Sequence, residues 1–231
     1  MGEDFGMVES VITKTFGLNA EEADYIARYA VARSFARNAV VFSEDDESDG
    51  IYIIIKGLVK IYLTSERGTE TIFAIMTAGD LFGEMAIYGS QRRSAAVRSL
   101  TELETLLLPR NCLENMIANV PTFGFKLSEL IAKRLRSANT QVAFSEAGSR
   151  AKVLSRLLGL AQTCGLTSAE SKYTTIPFWL THSDLAAYSN VARETVTKKL
   201  RELAEEGIVL VKRREYIRLD VEATKKELER F

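Results

Sequence analysis

Between Ser34 and Pro109 the chain is a succession of short β-rich runs: Ala39–Phe42, Gly50–Ile55, Leu58–Leu63, Thr69–Met76, Ala95–Arg98 and Thr101–Leu108. They are dense in Val, Ile, Tyr, Phe and Thr, which fit a pleated surface, and each is shorter than an ordinary helix. Lys56-Gly57, Arg67-Gly68 and Ala78-Gly79-Asp80 separate them. Glycine at such places supplies the positive φ that a tight turn needs. Many short strands at this spacing call for an all-β barrel or sandwich.

Both flanks change to helical periodicity, so the fold class is α+β. Residues 8–34 carry apolar residues at three- and four-residue intervals. Asn19 is placed to cap a segment from Ala20, with Ala23, Ile26, Ala27 and Ala30 on one face. Beyond the strands Asn111 opens a helix, Pro121 interrupts it, and a second run continues from Thr122 to about Ser145. In that run Ile131, Leu135, Ala138 and Val142 repeat at 4-3-4 spacing, a coiled-coil-like seam, while Leu127 and Leu130 fall on a stripe facing the β domain. A small Ala flanked by Lys133, Arg134, Arg136 and Asn139 suits a helix packed on its twin, so we expect a parallel homodimer through residues 127–142.

Phe144 to Ser149 breaks the pattern and marks a hinge. Residues 150–163 then predict a helix with Val153, Leu154, Leu157, Leu158 and Ala161 inward. A polar connection follows from Cys164, and Tyr173–Pro177 with Phe178–Leu180 predict a short strand pair. Thr181-His-Ser-Asp184 has a capping pattern for a helix to about Tyr188, with Leu185 and Ala186 inward. Ser189-Asn190-Val191 is a tight turn, since Asn tolerates the left-handed conformation. A second helix from Ala192 to Glu206 ends at Gly207, with Val196, Leu200 and Leu203 inward and Arg193, Glu194, Thr197, Lys198 and Arg201 outward. Helix, turn and a second helix with Arg, Glu, Thr and Lys on its exposed first turns make a helix-turn-helix whose second helix enters the DNA major groove. Ile208–Val211 and Tyr216–Leu219 form a hairpin wing whose tip, Lys212, Arg213 and Arg214, is suited to phosphates.

Charge agrees without deciding the matter. Residues 1–145 carry 15 Lys/Arg against 19 Asp/Glu, and residues 146–231 carry 15 against 12. Two cysteines, Cys112 and Cys164, are too few for a disulfide framework or a zinc site. The N-terminus lacks the pattern of a signal peptide and no apolar run is long enough to span a membrane, so a soluble cytoplasmic protein is expected.

One further stretch carries chemistry. Phe82-Gly83-Glu84-Met85-Ala86 is followed, nine residues after the glutamate, by Arg93-Ser94-Ala95-Ala96-Val97. A glycine lets the main chain approach an anion, an arginine donates charge-assisted pairs of bonds to phosphate, and a glutamate accepts from a ribose hydroxyl. A bland alternative is that Glu84 and Arg93 merely pair with each other. Residues 82–97 resemble the phosphate-binding cassette of cyclic-nucleotide-binding domains, and nearly the whole chain resembles the Crp/Fnr regulators.

That resemblance implies a jelly-roll sensor over residues 1–120, a dimerisation helix over 121–145 and a winged helix-turn-helix over 146–231. It implies that Gly83 and Glu84 meet the ribose of a cyclic nucleotide, that Arg93, Ser94 and the Ala95 backbone hold its phosphate, and that Met85 belongs to the same ligand site. Ala138, Asn139 and Thr140 stand where the base is contacted, with cyclic AMP favoured over cyclic GMP. Ala192–Lys198 resembles the Ser-Arg-Glu-Thr-Val-Gly-Arg run of the family's catabolite activators, which places Arg193, Glu194 and Lys198 at base edges, with Thr197, Arg201, Thr181, Ser183 and the wing also at the DNA. Lys198 replaces an Arg there, and an ammonium lacks the planar fork. Ala192 replaces a capping Ser, at about 1 kcal/mol of helix-start stability. A pseudo-palindromic operator and RNA polymerase follow as partners. No iron-sulfur cluster is expected, since residues 1–111 have no Cys, nor a haem, since the single His182 lies in the helix-turn-helix, nor a metal. Two alternatives stay open: a regulator whose pocket is vestigial or answers another small molecule, and a cyclic-nucleotide-processing enzyme. No Ser/His/Asp set, metal-ligand cluster or P-loop supports the latter.

Overall fold

The computed structural model describes all residues except 1, 88–90, 144–146, 169–170, 213–214 and 230–231, and all their side chains except those of 2–5, 86 and 137–143. The chain divides into two compact units, residues 1–63 with 75–139, and residues 140–231 with 64–74.

The first unit opens with helices α1 (Gly2–Phe16) and α2 (Ala20–Ala27). Asn19 caps α2 as expected: its side chain accepts from Glu22 N at 2.9 Å, and the Glu22 carboxylate accepts from Asn19 N at 3.0 Å. The segment from Ala20 is thus a helix as expected, the helical pattern before Asn19 forms a separate helix, and the last residues of the 8–34 stretch are strand β1 (Val31–Phe35), paired to a distant partner. Then follow β2 (Val40–Phe42), β3 (Gly50–Lys56), β4 (Val59–Thr64), β5 (Glu70–Met76), β6 (Leu81–Phe82), a 3-10 turn (Glu84–Ile87), β7 (Ala96–Ser99) and β8 (Leu103–Pro109). They form two four-stranded sheets ordered β1-β8-β3-β6 and β2-β7-β4-β5. Gly57 turns between β3 and β4 at φ +99°, where a Cβ would lie 2.2 Å from the Glu102 carbonyl oxygen.

Strand β3 explains where the site lies. Gly50 to Ile54 are all buried, because both faces are covered. Alternation along a strand sends Ile51 and Ile53 into one cluster with Ile12, Phe16, Ile26, Leu106, Leu108, Leu113, Met116, Phe123 and Leu127 of the helical layer. Tyr52 points the other way, between the sheets. It stacks on Phe82 with centroids 5.1 Å apart and the rings within 2° of parallel, and Phe42 stands at 6.0 Å.

Helix α3 (Arg110–Asn119) and α4 (Pro121–Ala143) complete the helical layer, split at Pro121 as the sequence indicates. Leu127 is buried in the core, and Leu130 and Ile131 pack against it. Ile131 therefore does not lie on the outward stripe. Among the described side chains of α4, the large apolar ones left exposed are Phe125, 70% exposed, and Leu135, 63% exposed. Phe125 falls outside the expected 127–142 seam.

In the second unit α5 (Ser149–Cys164) buries Val153, Leu154, Leu157, Leu160 and Ala161, with Leu158 only half-buried. The small sheet has the order β11-β12-β10-β9, from β9 (Leu166–Thr167), β10 (Tyr173–Ile176), β11 (Val209–Lys212) and β12 (Tyr216–Asp220). Residues 178–180 are not a strand; β10 pairs instead with β9, in the stretch read as polar connection, and with β12. Helices α6 (His182–Ser189) and α7 (Arg193–Glu205) lie between β10 and β11, and α8 (Val221–Leu228), not foreseen, closes the chain.

Asp220 caps α8 by accepting from Ala223 N at 3.0 Å. That bond, and then Lys172, hold its carboxyl below the usual range. Asp220→Ala should cost about 1 kcal/mol at neutral pH. The cap's contribution is full above the unfolded carboxyl value of about 4 and is lost as pH falls through the lower folded value. Urea unfolding of variant and parent should therefore differ at pH 7 and converge near the acid limit.

Candidate functional site

Arg93 is the largest fully buried side chain in the described structure and is 2% exposed. It projects between the sheets because β7 begins just beyond it. Its main chain is zipped to the preceding loop, with Asp45 N donating to Arg93 O and Arg93 N to Asp46 O, both at 2.9 Å. The guanidinium lies 4.0 Å over the Phe42 ring, donates from Nη1 to Gly83 O at 2.9 Å and from Nη2 to Asp49 Oδ1 at 2.5 Å. Tyr52 donates its hydroxyl to the other Asp49 oxygen at 2.5 Å. Burial pushes the Arg93 guanidinium down while Asp49 supports its charge. Burial, and then the bond to Asp49, push the Tyr52 phenol up.

Gly83 sits at φ +83°, and a Cβ there would lie 2.5 Å from Arg93 Nη1. In this structure the glycine makes room for the arginine, a reason more direct than approach to a sugar. Glu84 follows on the 3-10 turn, is buried, and pairs with Arg134 of α4, not with Arg93. The bland alternative of a Glu84–Arg93 pair is thereby replaced by two separate pairs, Arg93–Asp49 and Glu84–Arg134.

A cavity of about 50 Å³ is lined by Phe42, Ile61, Gly83, Glu84, Met85, Arg93, Ser94, Ala95, Val97 and Arg134. The structure thus gathers six of the nine effector-site residues named from sequence. The side chains of Ala138, Asn139 and Thr140 lie outside the described residues. The cavity is far below the ~300 Å³ minimum of a small-molecule pocket, so an occupant requires its walls to part. Arg93 Nε is buried without a hydrogen-bond partner, an unmet donor in the wall of that cavity. A buried cationic donor of this kind asks for an anion. Asp49, Tyr52 and Arg134 were missed because their partners are far away in sequence; no local spacing marks them.

The second candidate site is on α6 and α7. Thr181 Oγ1 accepts from Asp184 N at 3.0 Å, which starts α6. Asn190 ends it in the left-handed conformation at φ 51°. Ala192 starts α7 with no side-chain cap, as its residue type requires. Val196, Leu200 and Leu203 are buried, so helical periodicity leaves Arg193, Glu194, Thr197, Lys198 and Arg201 exposed together along one depression of about 490 Å³. Thr197 Oγ1 bonds to Arg193 O at 3.0 Å and to His182 Nδ1 at 2.8 Å, so His182 braces the two helices rather than simply facing solvent. Arg201 is held by Glu205 at 3.1 Å, and Lys212 by Glu215 at 2.7 Å. Thr181 and Ser183 are exposed at the start of α6. Arg213 and Arg214 lie outside the described residues. At the far end of α7, Arg150 bonds to Glu206 at 2.9 and 2.5 Å and to Glu227 at 3.0 Å, joining α5, α7 and α8.

Residues 32–120 match the cyclic nucleotide-binding domain, and residues 151–226 the Crp-like helix-turn-helix domain. The cyclic AMP receptor protein of Thermus thermophilus is 33% identical over 196 residues, covering 84% of this chain and 86% of that protein. The CRP-like cAMP-activated global transcriptional regulator of Mycobacterium tuberculosis is 34% identical over 176 residues, covering 75% and 77%. Among solved structures FixK2 from Bradyrhizobium japonicum shares the fold, with a TM-score of 0.74 at 22% identity, covering 85% of this chain and 96% of that one. These domains and relatives are those of regulators, not enzymes. No metal-binding group of side chains occurs among the described residues, and no described helix is long and apolar enough to cross a membrane.

Proposed function

This chain belongs to the Crp/Fnr family of DNA-binding transcription regulators, and from that premise we propose that cyclic AMP binds its sensor cavity and switches its affinity for a pseudo-palindromic operator. The observation that carries the reading is the buried, unmet Arg93 Nε in the wall of the cavity shared with Glu84 and Ser94. A cyclic phosphate supplies the acceptors that Arg93 lacks, and a ribose hydroxyl donates to the Glu84 carboxylate. The relatives named for cyclic AMP favour that nucleotide.

Family members are dimers, and in our reading the dimer forms through α4. Phe125, Ala132 and Leu135 are exposed on it, with Phe125 and Ala132 one heptad apart. Sensor, helix and DNA-binding segment occupy about residues 1–120, 121–145 and 146–231. The switch requires that the effector bind one arrangement of the DNA-binding segments better than another. RNA polymerase is the expected further partner on the DNA.

Isothermal titration of the purified protein with cyclic AMP and with cyclic GMP tests the effector. Saturable binding of cyclic AMP, tighter than cyclic GMP, is expected. The 50 Å³ cavity favours one rival, a pocket serving another small molecule or none, and absence of binding by either nucleotide would establish it.

At the DNA, Arg193 and Glu194 are read as base contacts, Lys198 as a weaker one, and Thr181, Ser183, Thr197, Arg201 and the wing as contacts that position the protein. Arg193→Ala should cost about 1–3 kcal/mol against the selected operator and relax preference at one base pair per half-site. Fluorescence anisotropy with the operator and its single-base variants checks this. A uniform loss across all sequences would mean that Arg193 meets phosphate instead.

A further inference from the structure

The hydroxyl of Thr197 has a single proton, and its two neighbours decide where that proton goes. Oγ1 stands 3.0 Å from Arg193 O, one turn earlier on α7, and 2.8 Å from Nδ1 of His182 on α6. A threonine hydroxyl offers one donor and two lone pairs, while a carbonyl oxygen only accepts. With the proton turned to the imidazole, two oxygens would face each other at 3.0 Å with nothing between them. The proton therefore lies on the line to Arg193 O, and the 2.8 Å bond is donated by His182 Nδ1–H. One lone pair is left, and no proton for a partner outside the protein.

The same two bonds fix the side chain. Threonine in a helix divides between two χ1 rotamers, because its hydroxyl can bond back to the carbonyl one turn earlier. The bond from His182 holds the rotamer in which Oγ1 reaches Arg193 O. His182 is half-buried beside Trp179, with ring centroids 6.4 Å apart, and Thr197 is exposed in the depression it shares with Arg193, Glu194, Lys198 and Arg201. What Thr197 has left to offer there is a methyl group and an acceptor.

We propose that His182 is a positioning residue for sequence reading: by donating to Thr197 it makes that side chain an acceptor with a methyl group, which selects an A·T over a G·C pair at one position of each half-site. The inference rests on the reading of α7 as the helix that enters the major groove. A phosphate oxygen only accepts, so this hydroxyl has no proton to give the DNA backbone. In the groove an A·T pair presents the adenine amino donor and the thymine methyl, which match both offers. A G·C pair presents two guanine acceptors and no methyl. Thr197 stands among the positioning contacts by its place on the exposed face, and its bonds turn it to a base.

Without His182 the hydroxyl is released to turn and to donate to guanine O6 or N7. Discrimination at that pair then falls while the other pairs keep theirs. A merely structural His182 would instead weaken all sequences alike.

The test is fluorescence anisotropy of the full chain, with cyclic AMP present, on an operator selected from random duplexes and on its single-base variants. Thr197→Ala locates the pair, as the one where A·T preference disappears. There the parent should prefer A·T about fivefold or more, the lower end of the usual cost of a mismatched pair. His182→Phe keeps a ring beside Trp179 and has no donor, so it should lose most of that preference and leave the other pairs unchanged. His182→Ala carries the same expectation should Phe disturb the fold. His182→Asn, whose amide N–H takes the place of Nδ1–H, should restore the preference. Adding Thr197→Ala to His182→Phe should cost nothing further at that pair, since the two side chains act as a unit. Unchanged preference in both His182→Phe and His182→Ala, or a uniform loss over all sequences, overturns the role of His182. So does a G·C preference at the pair, or a Thr197→Ala variant with no base-specific effect, while the helix-turn-helix reading stands through Arg193. Failure of the parent to select any sequence overturns both.

Discussion

Arg93→Ala is expected to weaken cyclic AMP binding at least a hundredfold. In the structure the guanidinium is a buried cation in the cavity wall, and its Nε lacks a partner. A hydrogen bond to a charged group is worth about 1.5–3 kcal/mol, and two such bonds to a phosphate reach about 3–6 kcal/mol. Each ~1.4 kcal/mol is a factor of ten in affinity. The truncation also empties a space that nothing else fills and leaves Asp49 without its cation. Asp49 is half exposed, however, and recovers water, so the loss should fall on the ligand more than on the fold. Arg93→Lys is the informative companion: it keeps the charge but lacks the planar fork, and should recover only part of the affinity. Titration calorimetry beside thermal unfolding distinguishes loss of binding from loss of structure.

Phe123→Ala should destabilise the sensor unit by about 3–5 kcal/mol, the usual cost of deleting a buried aromatic ring. Phe123 is fully buried near the start of α4, and its ring meets Phe16 of α1 edge-on at 4.8 Å. It joins the cluster that includes Ile51, Ile53, Leu113 and Leu127. The loss therefore loosens the helical layer where α4 departs, the helix that also brings Arg134 to Glu84. With two units present, a single unfolding energy is not well defined. The variant is best followed by urea unfolding with far-UV circular dichroism, in which the first transition should move to lower denaturant. The single Trp179 belongs to the second unit and reports on that unit by fluorescence. A change of less than about 1 kcal/mol in the first transition would mean that the site collapses around the missing ring.

Much of this architecture is legible in the residues because local chemistry and tertiary demand agree there. Asn19, Pro121, Thr181, Asn190 and Gly207 each have a backbone role set by residue type, and each fills it. The strands with strong alternation or dense β-branching are found within a residue or two. Where the reading fails, the deciding partner is remote. Val31–Phe35 continues the helical pattern of Ala and Arg and becomes strand only because β8 pairs with it. Leu81–Phe82 is too short to signal a strand and is fixed by Tyr52 and Ile53. Ile131 fits a dimer seam by spacing, but α4 lies on its own unit and packs that side chain inward. Asp220 has the residue type of an N-cap, but it is also the last residue of β12, and the helix it starts is defined only by its bond to Ala223 N.

The candidate site divides in the same way. Gly83, Glu84 and Arg93 stand out by motif because their spacing is local. The pairs that govern their charge do not: Asp49 reaches Arg93 across strands, and Arg134 reaches Glu84 from a helix beyond the sheets. On α7 the exposed face follows from periodicity alone, whereas the brace from His182 to Thr197 requires the angle between two helices.

The central claim is that a small anionic effector, bound at Arg93, controls DNA binding. Its most direct test is fluorescence anisotropy of the full-length protein on an operator selected from random duplexes, titrated with and without saturating cyclic AMP at fixed salt. At least a tenfold gain in operator affinity with cyclic AMP, absent in Arg93→Ala, is the predicted result. Equal affinity with and without the nucleotide would contradict it.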